Sequence, residues 1–408
     1  MDAYSAFRSR DYRLLFAGLF LSNFGSQMLS LGVSWDLYTQ THSALVLGNV
    51  GFVQVAPFLF FALIAGHVAD RYDRRRTMVL TQMLALAAAV PLLAGFRAVP
   101  VIYTSLFFLA LGRAFQWPAR QALLQHIITP DALSNAITWN SSAMEVSSIT
   151  GPAVAGILLA TTGSRAVYLI YACCAMLALG CYFSIRYRSA PAPDRPPTTG
   201  KSLLEGMHFV WNNKLILSAI SLDLFAVLFG GATALLPIYA ADILHAGARG
   251  LGWLRTAPSV GSVTMALVLA HSPRIRSAGK VLLWTVAGFG AATIVFGLSR
   301  RLGLSLVALL LVGAFDNVSV VLRQSLLQTN TPDYVRGRVL AFSSIFISSS
   351  NQFGAVESGW TAAWFGPVVS VAGGGAATIV IVLICAALSA PLRAWRQGVP
   401  QSSTPLPP

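Results

Sequence analysis

The chain has 408 residues, a formal net charge of +14 and a hydrophobic fraction of 55%, while only 10% of its residues are charged. This composition excludes a set of ordinary soluble domains. Apolar stretches of about 20 residues recur along the chain, and each is long enough to cross a bilayer of about 30 Å. Their length also excludes an outer-membrane β-barrel, whose strands alternate over about ten residues.

Twelve such stretches predict twelve transmembrane helices, and therefore an all-α polytopic membrane protein. In chain order they cover roughly residues 14–38, 45–68, 78–96, 100–119, 136–161, 166–186, 215–240, 249–270, 280–299, 302–325, 338–362 and 367–389.

Basic residues are concentrated on alternate connections between these spans. Of the 28 Lys and Arg residues, we assign 21 to the two termini and the even-numbered connections, Arg120 and Arg323 among them, and only five to the odd-numbered ones. Because positively charged loops remain in the cytoplasm, both termini are predicted to be cytoplasmic, at the inner cell membrane. Topology therefore explains the basic charge, and nucleic acid is not an expected partner.

The two halves of the chain repeat the same short motifs. RQALLQ at 120–125 recurs as RQSLLQ at 323–328, and TPD at 129–131 recurs at 331–333. Such a repeat predicts two parallel six-helix bundles in pseudo-symmetric relation. The predicted divisions are an N-terminal bundle at 1–186, a cytoplasmic linker with an amphipathic helix at 187–214, a C-terminal bundle at 215–392, and a cytoplasmic tail at 393–408.

Three segments carry a family resemblance. GHVADRYDRR at 66–75 resembles the signature that follows the second helix in the major facilitator superfamily, and GPAVAG at 151–156 resembles its fifth-helix motif. FRSRDYR at 7–13 is similar to the start of enterobactin-exporter-like and macrolide-efflux-like carriers. The resemblance implies proton-coupled efflux of a small amphiphilic or hydrophobic compound, siderophore-like or drug, by a monomer that alternates its access.

The resemblance also implies a conformational gate. Asp70 would act as a latch against the N-terminus of the eleventh helix, whose dipole favours a carboxylate. Small residues in the fifth helix would let it approach the second bundle closely. Asp73 stands where the family has Gly, and the sequence assigns it no role. The gate residues are Gly66, Asp70, Arg71, Arg74, Gly151, Pro152 and Gly156.

Ionisable side chains within the spans are functional candidates, because an unpaired charge in hydrocarbon costs several kcal/mol. Glu145, Asp223 and Asp316 fall near the predicted midplane. They are the proton-coupling candidates, with a structural hydrogen bond to a neighbouring helix as the alternative for each. Asp36 and Glu357 fall near outer ends, where a side chain reaches water more easily.

Arg113 and Asp316 occupy equivalent positions in the two repeats. This equivalence predicts a charge pair that binds substrate or gates the cavity; the alternative is that each residue has a partner in its own half. Aromatic and polar side chains are expected to line the cavity with them. The cavity candidates are Arg113, Asn23, Gln116, Trp117, Asp36, Phe225 and Phe315.

Motifs of other function classes are missing from the sequence. No group of His or Cys has metal-ligand spacing, and neither a phosphate-binding loop nor a nucleophile elbow occurs. We therefore predict no metal, no cofactor and no enzymatic activity. The partners expected are a small-molecule substrate, protons and the lipid bilayer. A facilitator or importer of a small solute, and a non-transporting sensor with the same fold, remain alternatives.

Overall fold

The computed structural model describes residues 4–187, 200–272 and 275–396. The first part of the predicted linker and most of the predicted tail lie outside the described residues. Within them, eleven helices are long and apolar enough to cross a membrane. A further helix, Gly247–His271, covers the eighth predicted span and is less apolar because Arg249 and Arg255 lie within it. The predicted all-α polytopic fold is confirmed.

The first compact unit comprises Met1–Thr198 together with Leu235–Thr256. Its long helices are α1 (Arg10–Thr41), α2 (Ala44–Arg71), α3 (Arg74–Leu93), α4 (Val99–Ile127), α5 (Pro130–Thr161) and α6 (Ser164–Ser184). Helix α1 packs against α5 and α6, while α4 packs against α2 and α3. Contact between α3 and α6 joins these two sets into one bundle.

The second compact unit comprises Thr199–Ala234 and Ala257–Pro408. The helices from residue 200 onward are α7 (Gly200–Asn212), α8 (Lys214–Phe229), α9 (Leu236–Ile238), α10 (Gly247–His271), α11 (Ala278–Leu298), α12 (Leu302–Asn330), α13 (Asp333–Phe365), α14 (Pro367–Leu388) and α15 (Ala390–Ala394). Helix α9 and the start of α10 belong to the first unit. In the second, α11 packs against α12 and α14, and α13 packs against α7 and α8.

The seventh predicted span is not one continuous helix. Helix α8 ends at Phe229, a 3-10 turn covers Ala232–Leu235, and a π-helix follows α9 at Tyr239–Ile243. The break falls at Gly230 and Gly231 because the backbone of α13 comes very close there. A Cβ atom at Gly231 would lie 2.6 Å from the carbonyl oxygen of Gly354. The division between the two compact units follows this break.

Two arginines lie deeper than predicted. Arg120 and Arg323 were assigned to cytoplasmic connections, but both are buried inside α4 and α12. Each of these helices has 29 residues, or about 43 Å at 1.5 Å per residue. Each helix is therefore longer than the hydrocarbon layer is thick. The length of the apolar run alone underestimates the length of the helix.

Asp73 caps the N-terminus of α3. Its Oδ1 accepts a hydrogen bond of 3.0 Å from the backbone N–H of Arg76, one of the donors left unpaired in the first turn of a helix. A Gly at this position has no side chain to do so. The cap gives a role to the one residue of the motif that the family resemblance left unexplained.

We expect Asp73→Ala to destabilise the protein by about 1 kcal/mol, because the replacement removes the cap. The melting temperature of the purified protein in detergent measures this effect. Asp73→Asn keeps the accepting oxygen and removes the charge, so it should melt close to the wild type. Equal losses in both variants would show that the negative charge matters and the cap does not.

Candidate functional site

A polar pocket lies inside the first unit. Ser22, Ser26 and Ser30 follow one another every four residues on α1, so they share one face of the helix. Side chains of α2, α3, α4 and α6 complete the pocket. The full lining is Ser22, Ser26, Leu29, Ser30, Gln54, Thr81, Gln82, Ala85, Leu106, Leu109, Gly112, Arg113, Gln116 and Tyr171.

Gln82 fixes one wall of the pocket. Its Oε1 accepts hydrogen bonds from the hydroxyl of Ser22 at 3.4 Å and from Nε2 of Gln116 at 3.3 Å. Its own Nε2 donates to the carbonyl oxygen of Ala175 at 3.3 Å. Since Gln82 is only 2% exposed, these bonds determine the orientation of its amide. They hold Gln116, a predicted cavity residue, at the pocket wall.

Arg113 contributes the charge of this pocket. It lies at the centre of α4, fourteen residues from either end of Val99–Ile127. Within the described part of the chain, its guanidinium has no recorded hydrogen bond or ion pair. Among the described residues that line the pocket, it is the only one with a full charge. The pocket therefore holds a positive charge that its own walls do not neutralise.

Three other predicted cavity residues lie outside the lining of this pocket. Asn23 follows Ser22, and its Nδ2 atom is buried with no recorded partner in the described structure. Trp117 is 49% exposed, and the guanidinium of Arg120 lies 4.6 Å from the centre of its ring. Trp117 thus shields a buried cation of its own helix. Phe225 is exposed on α8, in the second unit.

Asp36 and Phe315 take part in packing. Asp36 is 4% exposed and accepts hydrogen bonds from the hydroxyls of Ser164 and Tyr168, the latter at 2.7 Å. It is therefore enclosed where α1 meets α6 and does not reach water in this structure, and its role as a cavity residue stays a prediction. The ring of Phe315 lies against α11, where a Cβ atom at Gly288 would be 2.8 Å away. A side chain at position 288 would have to displace that ring.

One proton-coupling candidate is paired. Asp223 of α8 forms an ion pair with Arg323 of α12, and both residues are buried. Ser343 and Ser350 of α13 line the small space beside the pair. A buried charge of either sign is costly unless its partner remains. The pair thus accounts for both residues, including the arginine that the sequence analysis assigned to a connection.

The other two candidates stand without a recorded partner in the described structure. Glu145 is exposed on α5, and Asp316 is partly buried on α12. Asp316 lies fourteen residues from each end of Leu302–Asn330, and Glu145 is equally central in Pro130–Thr161. Both carboxyl groups belong to the middle of a spanning helix, where a charge is least well solvated.

The predicted gate residues at the end of α2 are only partly described. Asp70 lies in the last helical turn, and its side chain is outside the described part of the structure. Arg71 is exposed at the end of that helix, while Arg74 is buried in the first turn of α3. A Cβ atom at Gly66 would meet nothing within 4 Å, so packing does not require a glycine there.

The fifth-helix motif makes two different contacts. A Cβ atom at Gly151 would lie 2.7 Å from the Cβ atom of Gln27, so this glycine faces α1 of its own bundle and not the second repeat. A Cβ atom at Gly156 would lie 2.7 Å from the Cα atom of Gly252 on α10. The carbonyl of Pro152 lies against the same glycine. Close backbone contact between α5 and α10 therefore depends on Gly156 and Gly252.

Several residues of this region were not among the predicted site residues. Ser26 and Ser30 carry a signal that was available, since serines every four residues mark one face of a helix. Gly252 and the hydrogen bond from the Tyr38 hydroxyl to Asp242 join segments far apart in the chain. No local sequence pattern predicts such pairs.

We expect Asp223→Asn to destabilise the protein by about 3–5 kcal/mol, because it leaves Arg323 buried without its partner. The double variant Asp223→Leu, Arg323→Met should recover most of that loss, since neither charge then remains. Thermal unfolding of the purified protein in detergent compares the three forms. Wild-type melting of Asp223→Asn alone would contradict a stabilising pair.

Gly156→Leu should lower the melting temperature, because backbone atoms of α10 leave no room for a side chain and cannot move aside like a flexible one. Overpacking of this kind costs about 1–3 kcal/mol. Gly180→Leu on α6 is the matched control, since a Cβ atom there meets nothing within 4 Å. If both variants melt alike, the contact does not constrain the fold.

Comparisons with known proteins agree with this architecture. The family described as transmembrane secretion effector matches residues 1–408. The chain is 24% identical to the staphyloferrin A transporter of Staphylococcus aureus, over 81% of this chain and 84% of that protein. It is 27% identical to the multidrug efflux pump Tap of Mycolicibacterium fortuitum, over 85% and 87% of the respective chains.

It is also 27% identical to the enterobactin exporter EntS of Shigella boydii, over 96% of this chain and 94% of that protein. Among solved structures, a POT family transporter with a bound peptide conjugate aligns with a TM-score of 0.76 at 12% identity, covering 94% of this chain and 96% of that one. This low identity shows the fold alone. The family match over the whole chain shows that this protein belongs to the transmembrane secretion effector family of the major facilitator superfamily.

Proposed function

We propose that this membrane transporter exports a small amphiphilic or hydrophobic compound, siderophore-like or drug, in exchange for protons. The observation that carries the proposal is the position of Arg113, Glu145 and Asp316. Each lies at the centre of a membrane-spanning helix with no recorded hydrogen bond or ion pair of its side chain among the described residues. Charges at that depth are costly and are retained chiefly where they bind a substrate or move ions.

The names of the relatives support the substrate class and the direction. One is a siderophore transporter, one a multidrug efflux pump and one a siderophore exporter. Two of these three names state outward transport. Each aligns with at least 81% of this chain, so the likeness includes both repeats and is not confined to one helix pair.

Asp316 and Glu145 are the better placed of the proton-coupling candidates. A carboxylate already held by a buried arginine, as Asp223 is by Arg323, can accept a proton only when that pair opens. Asp316 and Glu145 need break no recorded bond to do so. In the proposed cycle, one of them binds a proton from outside and releases it inside as the substrate leaves in the opposite direction.

We further propose that the transporter works as a monomer in the inner cell membrane with both termini in the cytoplasm. The excess of Lys and Arg on one set of connections supports this orientation. Two basic residues in that count, Arg120 and Arg323, are buried within helices. The other basic residues in that count still favour a cytoplasmic location for both termini.

The test uses inverted membrane vesicles with an acid interior, read by a pH-sensitive dye. Adding a transported siderophore or drug should dissipate part of the pH gradient only when the protein is present. Each molecule of the compound that enters the vesicle is exchanged for protons that leave it. Asp316→Asn or Glu145→Gln should abolish that release if the residue carries the proton. Asp131→Asn, an exposed acid in the first turn of α5, is the matched control.

The alternatives give different results in the same vesicles. A facilitator or importer would move the compound with the pH gradient unchanged or without need of one. A non-transporting sensor would bind the compound and move neither it nor protons. If both carboxyl variants keep full proton release, the proposed coupling residues are wrong even though the protein is an exporter.

A further inference from the structure

We propose that the pocket of the first unit binds an anionic oxygen group, a carboxylate or phosphate, on the transported compound, with Arg113 as its cation. The inference rests on the proposed function in taking this pocket as part of the transport pathway. It goes beyond that function because it assigns a charge and a chemical class to one part of the substrate.

Arg113 brings an unbalanced positive charge to this pocket. Arg113 has five N–H donors in a planar fork that matches the two oxygens of a carboxylate. Among the described lining residues of the pocket, no acid accompanies it. Asp36 of α1 is enclosed by Ser164 and Tyr168 and is not part of the lining. A cation in this position is complemented by an anion that arrives from outside.

Hydrogen-bond donors also remain available in the pocket. Ser26, Ser30 and Gln54 line the same pocket, and no hydrogen bond of their side chains is recorded in the described structure. By contrast, Ser22 and Gln116 both donate to Gln82. The pocket thus has some polar groups that bond to each other and others, two hydroxyls and an amide, that remain available. Such groups can donate hydrogen bonds to an anionic oxygen.

The size of the cavity limits what it can hold. The cavity volume is about 30 Å³, whereas one water molecule needs roughly 10–15 Å³. In this conformation the space admits a small polar substituent and not a whole amphiphilic molecule. The remainder of the substrate would lie outside the pocket, so the site recognises one end of the compound.

Isothermal titration calorimetry with the purified full-length protein tests this proposal with naphthalene probes that differ in one substituent. The probes are 2-naphthoate, 2-naphthyl phosphate, the neutral 2-naphthamide and the cationic 2-naphthylmethylamine. We expect one or both anions to bind about tenfold or more tightly than the amide, because hydrogen bonds to charged groups are stronger than neutral ones. Whichever anion binds better identifies the preferred group.

Arg113→Gln should remove the difference between the anions and the amide, whereas Ser26→Ala should weaken the anions and the amide together. Arg113→Lys should keep part of the preference because it keeps the charge. Arg300→Gln removes the same charge from an exposed position between α11 and α12, and should bind every probe as the wild type does. This pattern separates anion recognition from a merely structural role of Arg113.

Three results would overturn the inference: no measurable binding of either anion by the wild type, tighter binding of the amine than of the anions, or an unchanged preference in Arg113→Gln. None of these results depends on the vesicle assay. Proton-driven export with no anion preference would contradict only the proposed anion subsite. Anion binding without proton release would leave the subsite in place and reject proton-coupled export.

Discussion

A charged side chain in the hydrocarbon layer must be paired, wrapped by polar groups or reached by water, and this constraint orders the interior of the protein. The first two solutions occur here, since Asp223 is paired with Arg323 and Asp36 is wrapped by two hydroxyls. Arg113, Glu145 and Asp316 have no recorded ion pair or hydrogen bond among the described residues. Of these three, Arg113 lines a polar pocket whose described walls supply no opposite charge.

The two repeats treat the same position differently. Arg120 and Arg323 correspond in the repeat and are both buried. In the second repeat Arg323 is paired with Asp223, whereas in the first repeat Arg120 lies over the ring of Trp117. The second unit thus neutralises its buried cation with an acid, and the first covers its cation with an aromatic ring.

The fold was largely predictable from the sequence, because membrane spans follow from the length of apolar stretches. The spans and the central depth of Asp316 needed no coordinates. Contacts between distant helices could not be read in this way. The enclosure of Asp36 depends on Tyr168, and the space for Phe315 depends on Gly288; neither partner is marked by local sequence.

The break in the seventh span bears on how the chain is inserted and assembled. Its two glycines, the 3-10 turn and the π-helix interrupt regular hydrogen bonding in the middle of an apolar segment, and lipid cannot satisfy the backbone groups so released. This segment is consequently a poor independent unit during biosynthesis. The backbone of Gly354 on α13 lies against this break, so we expect the region to reach its final form after α13, which is made more than a hundred residues later, has packed against it.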